Sequence, residues 1–256
     1  LAQGRVDGLR YDVAVFTNLS QDHLDFHGSM REYFAVKAAL FTPQRSRRGV
    51  VDVDDPWGRE LVARATVPVT TVSPTGAAPA DWRGSEVDVR PDGSALRLRG
   101  PAGEDLRVRV RLPGRFNVDN AALAVVALLE VGVAAQVAVS GVASCAGVPG
   151  RMQRRVGAGG VSAVVDYAHT PDAVERVLAA LRPAVAGRLV VVLGCGGDRD
   201  RAKRPLIGEV AAREADLLVV TDDNPRSEDP AEIRAAVLAG AARVPEGVRA
   251  AVLEVP

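Results

Sequence analysis

The sequence predicts an α/β protein in two lobes: a parallel sheet carrying a small antiparallel meander, then a doubly wound sheet with its own core. Three observations predict it. Short apolar runs alternate with segments of helical period in the first 72 residues. Residues 86–112 instead alternate apolar with charged side chains. After Gly147-Val148-Pro149-Gly150 the strand–helix alternation restarts, and a chain of 256 residues is long for one domain. A division into residues 1–148 and 149–256 follows.

Taken in order, YDVAVFTNL (11–19) is a nearly continuous apolar run that suits a buried parallel strand. Residues 29–41 place Met30, Tyr33, Phe34, Ala38 and Phe41 at helical spacing. Strands are expected at 49–53 and 67–72, with Pro56-Trp57 opening a helix between them. EVDVRP, SALRLRG and DLRVRVRLPG read as half-exposed antiparallel strands, turned by Pro91-Asp92-Gly93 and Pro101-Ala102-Gly103. This meander is inserted in, or packed against, the larger sheet. Helices follow at 117–131 and 134–144. In the second lobe, strands at 161–166, 188–193, 216–221 and 248–253 are separated by helices near 171–182, 205–214 and 230–242.

Composition narrows the function. With 47% hydrophobic and 25% charged residues the chain is globular rather than disordered. Thirty-two basic residues balance thirty-two acidic ones, so no nucleic-acid or membrane partner is expected. The longest apolar runs, such as 121–129, fall short of the ~20 residues of a membrane span. Two cysteines, Cys145 and Cys195, argue against a disulfide framework and suit a reducing cytosol. The chain opens on Leu1 without a signal-like segment and closes on a strand-like VLEVP, so a piece of a longer protein, cut at both ends, is expected.

Polar residues gather where strands end, which is where open α/β sheets bind ligands. TNLSQDHLDFH places two of the three histidines and two aspartates within six positions. His23 with a carboxylate suits a divalent ion or a phosphate; a helix cap with exposed histidines is the plainer alternative. Lys37 is one of two lysines against thirty arginines. An amine on the apolar side of a helix can lose its proton and react with carbon dioxide, as guanidinium cannot, although composition alone slightly favours a snorkelling surface lysine. GCGGDRDRAKRP (194–205) permits close backbone approach and offers charge for anions, yet it matches neither G-x-G-x-x-G nor G-x-x-x-x-G-K-[ST]. DDNPR (222–226) forces a turn and presents Arg226 as a carboxylate fork. DYAHTP (166–171) and GRFNVDN (114–120) start helices. The latter carries two amides three apart, one a plausible cap and one free to read a base, although a plain helix start is the simpler alternative for both segments.

The order of these clusters, with YFAVKAALF, LPGRFNVDNAALA and VPGRM, resembles the Mur ligases from residue 1 to about 240. The diaminopimelate-adding branch is the nearest likeness. That resemblance implies a partial central ATP-binding domain followed by a partial, Rossmann-like C-terminal domain for the incoming amino acid. It implies that ATP activates the terminal carboxylate of UDP-MurNAc-L-Ala-D-Glu as an acyl phosphate, which the amine of meso-diaminopimelate then attacks. By the same resemblance Gln3 and Arg5 contact the UDP-MurNAc substrate. His23 and the carbamate of Lys37 (N6-carboxylysine) hold Mg2+. Asn120 reads adenine, and Arg151 and Asp166 serve the nucleotide phosphates and ribose. Arg199 with Asp223, Asn224, Pro225 and Arg226 binds diaminopimelate. A cytoplasmic monomer is expected.

The chain also departs from the family pattern. It contains no G-x-x-G-K-[ST] phosphate loop. That loop, the UDP-binding domain and a magnesium-binding glutamate are expected before Leu1, and the end of the amino-acid pocket after Pro256. The 256 residues alone are therefore expected to be inactive. A lysine-adding or folylpolyglutamate-type ligase, or a binding module without turnover, are the alternatives; Arg199 and Arg226 argue against the first two.

Overall fold

The computed structural model describes residues 1–256 except His23 and Pro91, and it leaves out the side chains of Leu24, Asp25 and Ala158 as well. The described chain forms two compact units, Leu1–Ser20 with His27–Gly147, and Gln21–Phe26 with Val148–Pro256.

The first unit is built on one six-stranded sheet in the order β1 (Tyr11–Phe16), β2 (Ser46–Asp52), β3 (Val69–Ser73), β4 (Trp82–Arg90), β5 (Gly93–Arg99) and β6 (Asp105–Val110). The first four strands are parallel and the last three antiparallel. The meander expected from the charge alternation thus continues the sheet. Its junction rests on two residue pairs, Val72 with Trp82 and Ser73 with Arg83. β1 was expected to be buried, but it lies at the sheet's edge and Val15 is exposed.

Two layers cover this sheet, because alternate residues of a strand face opposite sides. Val51 joins Phe16, Phe34 and Leu61 in one core, whereas Val50 joins Val72, Leu98, Val118 and Val126 in another. The first core is closed by α2 (Met30–Ala38) and α3 (Pro56–Arg64), which follow the four-residue α1 (Leu24–His27). The second is closed by α4 (Arg115–Glu130) and α5 (Ala135–Ser144). Helix starts are set locally. Ser29 Oγ accepts from Glu32 N at 3.2 Å. Asp55 accepts from Trp57 N and Gly58 N at 2.8 and 3.2 Å, with Pro56 in the first turn.

The second unit opens with an antiparallel pair, β7 (Gln153–Val156) and β8 (Ser162–Val165), separate from the main sheet. The sequence reading had put residues 161–166 into the doubly wound sheet. That sheet is instead three parallel strands in the order β11 (Ala251–Val255), β10 (Leu217–Thr221) and β9 (Val190–Leu193). α6 (Pro171–Leu181), α7 (Lys203–Glu214) and α8 (Pro230–Ala241) share one core with it, through Leu178, Ile207, Leu218, Val220 and Val237. On the opposite face Val190, Val192 and Leu253 are exposed. Among the described residues, no helix is long and apolar enough to cross a membrane.

Candidate functional site

In the first unit, Lys37 sits in the last turn of α2, half-buried. Its Nζ lies 4.9 Å from the centre of the Tyr33 ring, one helical turn back. That ring is stacked on the imidazole of His27, 4.8 Å between centres. A ring face stabilises the ammonium, so carbamylation requires the amine to shed its proton and leave Tyr33. His23, expected beside it as a metal ligand, lies outside the described residues.

At the start of α4, Asn117 is not the helix cap. Its Nδ2 donates to Pro113 O at 2.7 Å and closes the turn that leads into the helix. Asn120 is exposed and free of that task. Arg115 Nε donates to Asp119 at 2.9 Å. Gln3 and Arg5 stand exposed in the irregular segment before β1.

A feature the sequence reading passed over lies at the carboxyl end of β2, where the Asp52-Val53-Asp54-Asp55 run brings three carboxylates together. Asp54 accepts from Ser73 Oγ at 2.6 Å and Thr75 N at 2.7 Å, while Asp55 caps α3. Asp52 is only 8% exposed. Burial pushes its carboxyl up to about 7, and the charges of Asp54, Asp119 and Asp55 add to the shift against the opposing hydrogen bond from Asp54 N. Three acids directly after a buried strand were the available signal. Which of them is buried was not readable from composition.

In the second unit, the structure brings Arg151 and Asp166 to one place. Asp166 accepts from Met152 N and Ala168 N, both at 2.8 Å, and so ties the VPGRM turn to the DYAHTP turn. Arg151 lies over the exposed Tyr167 ring at 4.5 Å. Thr170 Oγ1 caps α6. His169 bonds the carbonyl of Tyr167 through Nδ1 at 3.0 Å and pairs with Asp22 through Nε2 at 3.4 Å. The bond to Asp22 is the main reason its pKa is raised.

The residues expected to bind the amino acid lie on two turns zipped together. Gly197 N donates to Asn224 O at 2.9 Å, and Arg226 Nη1 donates to Gly197 O at 2.9 Å. A Cβ on Gly197 would lie 1.8 Å from Pro225 O, so only glycine permits this approach. Asp198, at φ +51°, accepts from Ser227 Oγ at 2.7 Å and donates its N–H to Glu228 at 2.6 Å. Arg199 is exposed; its Nη1 donates to Asp198 O at 3.0 Å. Asp223, Asn224 and Arg226 are exposed on the second turn around half-buried Pro225. Arg226, also at φ +51°, spends one guanidinium N–H on Gly197 O.

Comparison with known proteins assigns each of these regions to a domain of one family. A model of the Mur ligase middle domain matches residues 1–128, and a model of the Mur ligase glutamate ligase domain matches residues 150–255. The chain belongs to the Mur ligase family. It is 53% identical over 249 residues to the UDP-N-acetylmuramoyl-L-alanyl-D-glutamate–2,6-diaminopimelate ligase of Streptomyces avermitilis, covering 97% of this chain and 49% of that protein. It is 49% identical over 245 residues to the ligase of the same name from Corynebacterium glutamicum, covering 94% and 47%. A solved structure of a ligase with that name aligns over 99% of this chain and 52% of its own, with 36% identity and a TM-score of 0.62. Mycobacterium tuberculosis folylpolyglutamate synthase complexed with ADP shares the fold at a TM-score of 0.73 and 24% identity, covering 95% and 53%. The chain spans about half the length of the curated relatives it matches.

Two groups in this Mur ligase chain were not singled out by sequence. Glu228 receives Arg204 Nη1 and Nη2 at 3.0 and 2.8 Å and Arg201 Nη2 at 3.0 Å. Its carboxyl is held down to about 2, first by Arg204 and then by the Asp198 N–H. This pair fixes the second turn on α7. The other is Lys203, buried at the start of α7. Among the described residues, no group of three His, Cys, Asp or Glu is arranged to hold a metal ion. Both cysteines are free, Cys145 exposed and Cys195 buried.

Proposed function

We propose that this chain is the middle and C-terminal part of an ATP-dependent amide ligase that adds meso-diaminopimelate to UDP-MurNAc-L-Ala-D-Glu in peptidoglycan precursor synthesis. The observation that carries the reading is the pair of zipped turns. They hold Arg226 and Arg199 rigidly at the carboxyl edge of a sheet with free donors. A guanidinium fork suits the distal carboxylate that distinguishes diaminopimelate from lysine. Asp223 and Asn224 complete that pocket, offering a charge and an amide to the amino acid, with Pro225 shaping the turn.

The reaction would run through an acyl phosphate. The γ-phosphoryl group passes from ATP to the substrate carboxylate; the amine attacks the carbonyl carbon, loses a proton, and phosphate leaves the tetrahedral intermediate. Asn120, exposed on α4, would read adenine, and Arg151 and Asp166 would face the nucleotide. Gln3 and Arg5 would bind the UDP-MurNAc dipeptide. Lys37, once carbamylated, would hold Mg2+ together with His23, and the bound ion would neutralise phosphate oxygens. The functional division would fall between residues 148 and 149. The 256 residues alone lack a phosphate loop and would not turn over. The enzyme would be cytoplasmic and monomeric; the free cysteines fit the reducing compartment.

The complete gene product tests this. With ATP, UDP-MurNAc-L-Ala-D-Glu and meso-diaminopimelate together it is expected to release ADP and form the tripeptide product, and omission of any one should abolish both. ADP release without product, or no release, would contradict the reading.

A further inference from the structure

Arg234 is a buried charge with no part in the reaction described above. It lies on α8 beside Ile233 and one turn before Val237, both in the core, and is 8% exposed. Its fork holds two carboxylates: Nε donates to Glu254 at 2.7 Å, and Nη1 donates to Asp222. Asp222 follows β10 and opens the DDNPR turn, while Glu254 lies on β11 opposite Val220. Among the described residues no other cation pairs with either acid. Burying a guanidinium costs desolvation, and a fork onto two acids offsets that cost.

The two ends of the turn are charged differently. Glu228, at its far end, has two cations to itself, Arg204 and Arg201. At the near end Asp222 and Glu254 share Arg234, and exposed Asp223 comes next in the chain. Arg199 and Arg226 donate to the carbonyls of Asp198 and Gly197 rather than to these acids. Arg234 is therefore the group that balances the acids where the turn begins.

The candidate amino acids differ in charge at this place. Near pH 7 diaminopimelate carries two carboxylates and two ammoniums and is neutral, whereas lysine lacks one carboxylate and is a cation. Asp222 and Glu254 without Arg234 would attract the lone ammonium and repel the second carboxylate. One unit charge acting over ~10 Å at an effective dielectric constant of ~20 changes such a preference by about tenfold.

We propose that Arg234 is a specificity-determining residue: by neutralising Asp222 and Glu254 it keeps the turn receptive to an amino acid with a second carboxylate and disfavours one with an ammonium alone. It acts through the two acids and does not touch the amino acid, and the inference rests on the ligase reading above.

The test gives the complete gene product ATP, UDP-MurNAc-L-Ala-D-Glu and equal amounts of diaminopimelate and lysine, and weighs the products. R234M is expected to lower the ratio of diaminopimelate to lysine product about tenfold. E254Q removes a negative charge, leaves Arg234 to Asp222, and is expected to raise the ratio about threefold. Both shifts should shrink toward unity near about 0.5 M salt. A loosened turn would instead lower the ratio in both variants and would not answer to salt. An unchanged ratio, a fall in both variants, or shifts that salt leaves intact would overturn the proposal. Should R234M fail to fold, E254Q decides alone, since Glu254 is exposed. An unsubstituted protein that selects diaminopimelate while the variants show no opposite shifts would keep the ligase reading and remove this inference. One that forms no product, or favours lysine, would remove both.

Discussion

Asp52 shows how a single side chain departs from what its residue type implies. Its carboxyl is raised to about 7, chiefly by burial, so the native state holds a proton that the unfolded chain releases near pH 4. An acid raised in this way contributes its full stability below the unfolded value and loses it as pH rises toward 7. D52N has no proton to hold and should melt higher than the parent at pH 8, by a difference of order 2 kcal/mol that closes near pH 4. A pH-independent difference would show that Asp52 is ionised in the native protein. Arg226 makes a second residue-scale prediction. R226K keeps the charge but not the fork, and should raise KM for diaminopimelate about 100-fold while leaving KM for ATP within about twofold. Equal effects on both would mean that the side chain acts on the fold rather than on the amino acid.

At the scale of elements, the second unit depends on two turns that share hydrogen bonds rather than on either turn alone. Alanine at Gly197 would drive a Cβ to 1.8 Å from Pro225 O and force the turns apart. G197A should therefore destabilise the unit by about 2 kcal/mol or more and speed proteolysis around residues 222–228. Unchanged proteolysis would show that the turns separate without cost. Glu228 pins the same pair, and its carboxyl is held at about 2 by Arg204. Its contribution is present above its ordinary value of 4.5 and is lost as pH falls through about 2. E228Q should lower the melting temperature at pH 7 and narrow the gap to the parent in strong acid. The sequence made most elements visible, because α3, α6 and α8 each carry a proline in the first turn and an Asp or Thr cap. It did not reveal β7, a four-residue QRRV whose side chains are mostly exposed and carry no period. Nor did it reveal that β4 joins β3, since two residue pairs leave no pattern in composition.

At the scale of the molecule, motif order carried further than local pattern. Gly197 of GCGGDRD and Asn224 of DNPR lie 27 residues apart in sequence, yet the folded chain bonds them directly. What stayed hidden was burial: Asp52, Arg204 and Lys203 look like ordinary surface charges until the fold encloses them. The central claim is that this scaffold selects a diamino diacid by its second carboxylate. The most direct measurement gives the complete gene product ATP, UDP-MurNAc-L-Ala-D-Glu and equal amounts of meso-diaminopimelate and lysine, then weighs the product. A product carrying diaminopimelate in at least about 100-fold excess is predicted, the margin expected of a site built around a fork for a charged group. A product carrying mainly lysine, or both in comparable amounts, would contradict the account.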